Sequence, residues 1–318
     1  MATRIFVDGH AGTIGLRIRE LLVGRTDLTQ LEIAEAHRKD PNARRDMLNG
    51  CDVAILCLPD EAAIEAVSLI ENADVRVIDG STAFRVNTGW VYGLPELASD
   101  QRNAISSAKR VSNPGCWPTC VSLLTRPLVD AGLLPTDIAL SIHGLSGYSG
   151  AGKAGIEKWQ SPQGGLVNLP FEAPYSLDKK HKHIPEMTKY GRLDTEPYFC
   201  PAVGPFRCGM RVEIPLHASQ LPSGVTSESI LNAYRDRYAN EHFIRVVPIA
   251  ESSPSHERTF DPQVCNGTNR VELRVVPHSS GHVLLVAILD NLGKGASGAA
   301  VQSLNLMLGL PEDKGLSG

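Results

Sequence analysis

The stretch RIFVDGHAGTIGLRI, Arg4–Ile18, opens with a short apolar run (Arg4–Val7), turns on glycines, and continues as an amphipathic helical pattern from Ile14 to Leu22. Gly9, Gly12 and Gly15 follow a G-x-x-G-x-x-G spacing, looser than the G-x-G-x-x-G fingerprint. Glycines at such a turn let backbone approach a pyrophosphate, and the following helix offers N–H groups and the positive end of its dipole. Position raises the weight of a loose pattern. Strand, glycine turn and helix stand at the head of an alternating segment, which predicts a dinucleotide-binding turn ahead of a plain strand–helix connection.

Outward from this stretch the alternation continues. Leu31–Ala36, DVAILCLP (Asp52–Pro59) and RVIDGS (Arg76–Ser81) are short apolar runs, and EAAIEAVSLIENA after DVAILCLP has helical spacing. Strands alternating with helices predict a parallel sheet with crossover helices. DVAILCLP lacks polar alternation, as a strand buried on both faces does. From Pro135 the texture changes. DIALSIHGLSG, MRVEIPLHAS, FIRVVPIAE, NRVELRVVPH and HVLLVAILDNLG predict strands of a larger sheet, with one helix in SESILNAYRDRYAN and a last one in GASGAAVQSLNLMLGL. The fold class is α/β, in two domains that divide near Gly115, and the last helix is expected to return to the first.

Composition narrows the function classes. The 318 residues suffice for two cores. A formal net charge of −4 gives no electrostatic case for nucleic acid or an anionic membrane, and aromatics at 5% leave little for base stacking. No apolar run approaches the roughly 20 residues that span a bilayer. The N-terminus enters a strand-like run at once, without signal-peptide character, so a cytoplasmic protein is expected. Seven cysteines, an odd number spread from Cys51 to Cys265, do not form a disulfide framework; Cys51, Cys57, Cys200, Cys208 and Cys265 read as packed thiols.

SNPGCWPTC, Ser112–Cys120, is different. Pro114 and Gly115 fit a tight turn, Pro118 fits a first helical turn, and an apolar run from Val121 continues a buried helix. That places Cys116 at a helix N-terminus, where a thiol ionises more readily and N–H donors are at hand. Metal binding through Cys116 and Cys120 lacks a second ligand pair at suitable spacing, so no metal is expected, while a packed cysteine stays open. A thiolate nucleophile needs an acid/base partner. HKHIPEM, His181–Met187, supplies two histidines and Glu186, against the alternative of a basic surface loop; HGLSGYSGAGK, His143–Lys153, is a Gly/Ser-rich loop after a strand-like run, as site-lining backbone is. For the nicotinamide, Glu35 stands where an acid binds ribose hydroxyls, yet Arg38 and Lys39 in HRKD suit a 2′-phosphate; the charges alone leave the two even.

Taken together, VDGHAGTIGLRI, HRKD, DVAILCLPDEAA, IDGSTAFR, WVYGLPEL, SNPGCWPTC, GLSGYSGAGK, HKHIPEM and DNLGKGASGAAVQSLNLM make the chain resemble the N-acetyl-γ-glutamyl-phosphate reductases, in the shorter of that family's two forms. The matching segments run nearly end to end. Ile14 departs from the threonine common in that form and leaves the glycines intact. The resemblance implies a fold like that of aspartate-semialdehyde dehydrogenase: a Rossmann-like NADP domain over residues 1–115 completed by 295–318, and an α+β catalytic and dimerisation domain over 116–294.

The resemblance also implies roles. Cys116 is the nucleophile, His183 the acid/base with His181 as close rival beside the substrate, and Glu186 orients a site group or the substrate. Ser81 and Arg85 hold the acyl phosphate, a task suited to a bidentate guanidinium, and Asn113 contacts the substrate. Apart from the resemblance, Arg207 in PFRCGM is a candidate for reading the substrate carboxylate. Gly9, Gly12, Thr13, Gly15, Arg38, Lys39, Ser146, Gly147 and Asn291 contact the cofactor, and the Arg38–Lys39 pair tips the choice to NADP. The implied activity is NADPH-dependent reduction of N-acetyl-γ-glutamyl phosphate to the semialdehyde in arginine biosynthesis, by a cytoplasmic homo-oligomer, dimer or tetramer. Rival readings are reduction of another acyl phosphate, of aspartyl or aminoadipyl type, and a non-catalytic NADP sensor. A redox switch through Cys116 and Cys120 suffers from awkward disulfide geometry at a helix start.

Overall fold

The computed structural model describes residues 2–38, 40–253, 256 and 258–318. The chain forms two compact units, Met1–Pro114 with Ala296–Leu316, and Gly115–Gly295 with Ser317–Gly318.

The first unit runs β1 (Thr3–Asp8), α1 (Thr13–Leu21), β2 (Leu28–Leu31), α2 (Pro41–Gly50), β3 (Val53–Leu56), α3 (Asp60–Ser68), β4 (Arg76–Asp79), β5 (Val91–Tyr92), α4 (Gln101–Ser107) and β6 (Arg110–Ser112). Its sheet has the order β2-β1-β3-β4-β6-β5, and every pair is parallel. The period of two along each strand builds two cores. Ile5, Val7, Val53 and Ile55 pack with Ile18 of α1 and Ile105 of α4, while Phe6, Ala54, Leu56 and Val77 pack with Leu48 of α2 and Ala66 of α3. Helices on both faces make this a doubly wound sheet, as the alternation of the sequence predicts. The chain leaves β1 for β2 on one side and returns to β3 on the other, so the C-terminal end of β1 is a switch point where such folds bind ligands.

Two details differ from the expectation. Of the second apolar run, Leu31–Ala36, only Leu31 is strand: β2 spans Leu28–Leu31, Leu31 is the last residue paired with β1, at Phe6, and the chain then bends into a short 3-10 turn, Glu35–His37. Helix α2 was hidden by its polarity, since only Arg44 and Leu48 of it are buried. Its start signals are local: Asp40 accepts the Asn42 N–H at 3.0 Å, and Pro41 opens the helix. Arg44 then turns inward to pair with Asp8 at 2.9 Å, both nearly enclosed.

The second unit holds α5 (Cys116–Asp130), β7 (Ser141–Gly147), α6 (Gly152–Gln160), β8 (Ala173–Pro174), α7 (Ile184–Gly191), β9 (Tyr198–Gly204), β10 (Met210–Leu216), α8 (Ser227–Tyr238), β11 (Ile244–Val246), β12 (Val271–Pro277) and β13 (Val283–Leu289). Its mixed seven-stranded sheet has the order β11-β12-β13-β10-β7-β9-β8. Residues 293–297 then form a π-helical turn, and α9 (Gly298–Met307) belongs to the first unit, where Val301 and Leu304 join the core under Ile5 and Ile55.

Helix α5 is buried on nearly every side, and α7, α8 and β13 pack on it. Pro127 lies inside it and has no N–H to give to the Leu123 carbonyl four residues back. Two tyrosines of α8 supply donors there. The Tyr238 hydroxyl donates to Leu123 O at 2.7 Å and that of Tyr234 to Leu124 O at 2.6 Å, both buried. Tyr238→Phe leaves the Leu123 carbonyl without that donor, and urea denaturation is expected to show a loss of about 1–3 kcal/mol.

Candidate active site

Cys116 is the first residue of α5, and Gly115 is its N-cap in an extended conformation with no side-chain cap. The first turn of a helix carries N–H groups that intrahelical bonding does not use, and no acidic residue sits in this one. The Gly115 N–H donates instead to Glu186 Oε1 at 2.7 Å, in the first turn of α7. Glu186 is 2% exposed, so this bond forms away from water. Close packing of α7 on α5 needs Gly191, where an added Cβ would stand 2.7 Å from Thr125 Oγ1. Among the cysteines, burial pushes Cys57 up to about 12 and Cys51 and Cys265 up to about 11, and drives Cys120 well above the ordinary thiol value. Cys51, Cys120 and Cys265 are packed thiols, whereas Cys57, Cys200 and Cys208 are, against the expectation, only half-buried. Cys116 is half-buried at a helix start. Among the described residues no group of three or more His, Cys, Asp or Glu side chains could hold a metal ion.

His183 is the N-cap of α7 and is 7% exposed. His181 lies against it, with ring centroids 4.9 Å apart, and accepts the His183 N–H on Nδ1 at 3.1 Å. Its Nε2 is 3.4 Å from the hydroxyl of Tyr175, which also accepts the Trp117 Nε1–H at 3.2 Å. Burial, helped by Lys182, holds His181 down at about 4, so its ring is neutral at pH 7. The ring of Trp117, next to Cys116, fits over β7 because Gly144 has no side chain: a Cβ there would meet it at 2.5 Å. Tyr175 and Trp117 were not singled out in the sequence, where nothing marks a tyrosine in EAPYS as part of a cysteine site.

In the first unit Gly9 has φ +84°, and an added Cβ would stand 2.3 Å from Cys57 O; at Gly15 it would stand 2.4 Å from Gly9 O. Gly12 is the N-cap of α1 without a side-chain cap, Thr13 is its first residue, and no acid lies in its first turn. A bare, side-chain-free helix start at the end of β1 fits the pyrophosphate of a nicotinamide dinucleotide. Arg38 is exposed after β2, and the expectation for Lys39 lies outside the described residues. At the ends of β4 and β6, Asp79 binds two of the expected residues, and a third, Arg85, is held on the neighbouring backbone. Asp79 Oδ2 accepts from Ser81 N at 3.1 Å and Ser81 Oγ at 2.6 Å, and Asp79 O accepts from Asn113 N at 2.7 Å. Arg85 donates from Nε to Asn113 O and from Nη2 to Gly80 O, each at 2.9 Å. Burial pushes the Asp79 carboxyl up to about 6 against the Ser81 hydrogen bonds.

The Gly/Ser-rich segment is β7 through Gly147, then a tight turn and α6. Ser146 is buried with its hydroxyl on Gly147 O, and a Cβ on Gly147 would meet Arg207 O at 2.5 Å. Asn291 clasps this region: its Oδ1 accepts from Gly209 N at 2.8 Å and its Nδ2 donates to Ser149 Oγ at 2.9 Å. The exposed Arg207 sits in the segment so held.

Removing the carboxylate tests the anchor of α5. Glu186→Ala leaves a buried N–H unanswered and is expected to lower stability by about 1–3 kcal/mol in urea, whereas Glu186→Gln keeps an acceptor and stays within about 1 kcal/mol of the parent.

Comparison with known proteins places the chain. Residues 9–107 match the family model "Semialdehyde dehydrogenase, NAD binding domain", and residues 116–291 match "Semialdehyde dehydrogenase, dimerisation domain". An N-acetyl-gamma-glutamyl-phosphate reductase of Burkholderia cenocepacia is 48% identical over 306 residues, 96% of this chain and 97% of that protein. An N-acetyl-gamma-glutamyl-phosphate reductase 2 of a Nostoc species is 47% identical over 319 residues, 98% of this chain and 99% of that protein. In fold, the chain is similar to the aspartate semialdehyde dehydrogenase of Francisella tularensis, with a TM-score of 0.72 at 16% identity, covering 97% of this chain and all of that one (100%). Aspartate semialdehyde dehydrogenase II of Vibrio cholerae gives 0.71 at 17% identity, covering 97% and 99%. Because both units match their own model and the relatives align over almost their whole length, the chain belongs to the semialdehyde dehydrogenase family, among its N-acetyl-gamma-glutamyl-phosphate reductases.

Proposed function

We propose that the chain reduces N-acetyl-γ-glutamyl phosphate to N-acetylglutamate semialdehyde with NADPH, as a cytoplasmic homo-oligomer serving arginine biosynthesis. The observation that carries the reading is Cys116 at the bare start of a buried helix, with Glu186 bound to the peptide before it and His183 on the same short helix as Glu186. The names of relatives near half identical over their full length support the substrate. A matched dimerisation domain supports the homo-oligomer.

The chemistry follows from the residues. Cys116 attacks as thiolate, favoured at a helix start, and N–H groups of the first turn of α5 stabilise the oxyanion. Phosphate leaves and a thioacyl enzyme forms, with Ser81 and Arg85 binding the departing group. The bound nicotinamide supplies the hydride. His183 protonates the thiohemiacetal or assists its collapse, because His181 has Nδ1 committed to a backbone N–H and stays neutral down to about 4. Gly9, Gly12, Thr13 and Gly15 hold the pyrophosphate, and Arg38 with Lys39 holds the 2′-phosphate. Arg207 reads the substrate carboxylate. Ser146 and Gly147 line the nicotinamide side. Asn291, whose amide already holds Gly209 and Ser149, reaches the cofactor through the backbone it orders.

The first test runs the reaction in reverse, following the absorbance of reduced nicotinamide with N-acetylglutamate semialdehyde, phosphate and NADP. Phosphate-dependent reduction with this aldehyde and not with aspartate semialdehyde is expected; reduction with neither overturns the reading. Cys116→Ser is expected to abolish turnover while NADP still binds. Arg38→Ala is expected to weaken NADPH about tenfold or more and to leave NADH little changed, since only the former carries the 2′-phosphate.

A further inference from the structure

Ser81 is expected to hold a phosphate, yet its hydroxyl has no proton to spare for one. A serine carries a single O–H donor and two acceptor lone pairs, and an ionised carboxylate only accepts. Ser81 Oγ donates its proton to Asp79 Oδ2 at 2.6 Å and accepts the Ala83 N–H at 3.2 Å. An arriving phosphate dianion therefore meets a lone pair of Ser81 where it needs a donor.

The carboxylate beneath is short of protons too. Asp79 closes β4 fully enclosed, and its Oδ2 takes both the N–H and the hydroxyl of Ser81. Its Oδ1 is buried and meets no donor among the described residues. The same is true of Oδ1 of Asn113, whose N–H binds the Asp79 carbonyl. Surrounding charges do little to hold Asp79 as an anion. From α3, Asp60 adds a like charge, with its own oxygens on the N–H and hydroxyl of Thr82. Asp8 of β1 is paired with Arg44 at 2.9 Å, and Cys57 after β3 stays a thiol. Helix α9, which packs on β4, carries no charged residue. Arg85 favours the carboxylate, but its Nε and Nη2 lie on the carbonyls of Asn113 and Gly80. Burial accordingly raises the Asp79 carboxyl to about 6, and a second negative charge at Ser81 raises it further.

Resting on the reading of Ser81 and Arg85 as the phosphate site, we infer that Asp79 is a positioning residue that gates this site with a proton. As phosphate binds, the proton in the Ser81 Oγ–H···Oδ2 bond moves onto Asp79, and Ser81 Oγ takes a replacement from solvent. One Oγ–H bond breaks, one Oδ2–H bond forms, and the new Oγ–H faces the phosphate. Both lone pairs of Ser81 Oγ are then filled, by the Asp79 O–H and the Ala83 N–H. Anion affinity is thereby tied to the uptake of one proton.

Sulfate is the probe, since it has the shape and charge of a phosphate dianion and does not itself titrate near neutral pH. Its inhibition constant against phosphate is followed in the reverse reaction of the full-length protein. In the parent the constant is expected to rise about tenfold or more between about pH 6 and about pH 8, where an enclosed carboxyl loses its proton. Asp79→Asn keeps the shape without a group to protonate, and should stay within about twofold over that range. Ser81→Ala has no hydroxyl to release, and should bind sulfate about tenfold more weakly at the acid end and lose most of the dependence. Calorimetry of sulfate binding to the parent, in two buffers of different ionisation enthalpy, reads the proton without any variant; uptake of about half a proton or more is expected near neutral pH. Equal pH dependence in the parent and Asp79→Asn, or no proton uptake in calorimetry, would overturn the inference and leave the phosphate site in place. A full dependence at weaker affinity in Ser81→Ala would assign the effect to charge repulsion alone and overturn the release of the hydroxyl. Sulfate affinity unchanged at every pH in Ser81→Ala would overturn the reading of Ser81 as a phosphate ligand, and the inference with it.

Discussion

The bond from the Gly115 N–H to the buried Glu186 carboxylate fixes where the central helix of the second unit begins. Helix α5 is enclosed on nearly every side, so its position is not adjustable, and whatever sets its first residue sets the direction of the Cys116 side chain. Glu186 does this from a helix that also begins with His183, so one short element presents the acid/base candidate and pins the nucleophile candidate. The cost of an acid without solvent is met by a backbone donor that would otherwise be an orphan of the helix start. The tyrosines of α8 serve the other half of the same helix by answering carbonyls around its internal proline.

The first unit relies on a comparable economy. Glycine at the end of β1 lets the chain turn against Cys57 and lets α1 begin without a side chain over its N–H groups. Asp79, at the end of β4, gathers the Ser81 hydroxyl and two backbone amides, one of them from Asn113, while Arg85 is fixed on the carbonyls of Gly80 and Asn113. An arginine held by backbone through Nε and Nη2 is oriented before any anion arrives, which spares the ordering entropy of a long flexible side chain. The hidden organiser is a carboxylate pushed up to about 6 by its burial, set between groups expected to meet phosphate.

The sequence by itself determined the doubly wound first unit, because strand and helix periods differ and the glycine turn sits where the first changes to the second. It also determined which local motifs bring candidate catalytic side chains to a helix start: SNPGCWPTC and HKHIPEM carry their turn prolines, glycine and histidines within a few residues. Tertiary structure decided the rest. Strand β9 was not legible, since Pro201 argues against a strand yet lies in the ladder opposite Gly144. Helix α2 was missed because its single buried cation faces Asp8 and no apolar stripe betrays it. Tyr175 meets Trp117 across 58 residues of chain, and the proton on His181 is set by a backbone amide two residues away. Pairings of that kind depend on the path of the backbone between them, which sheet order and packing choose and no local period records.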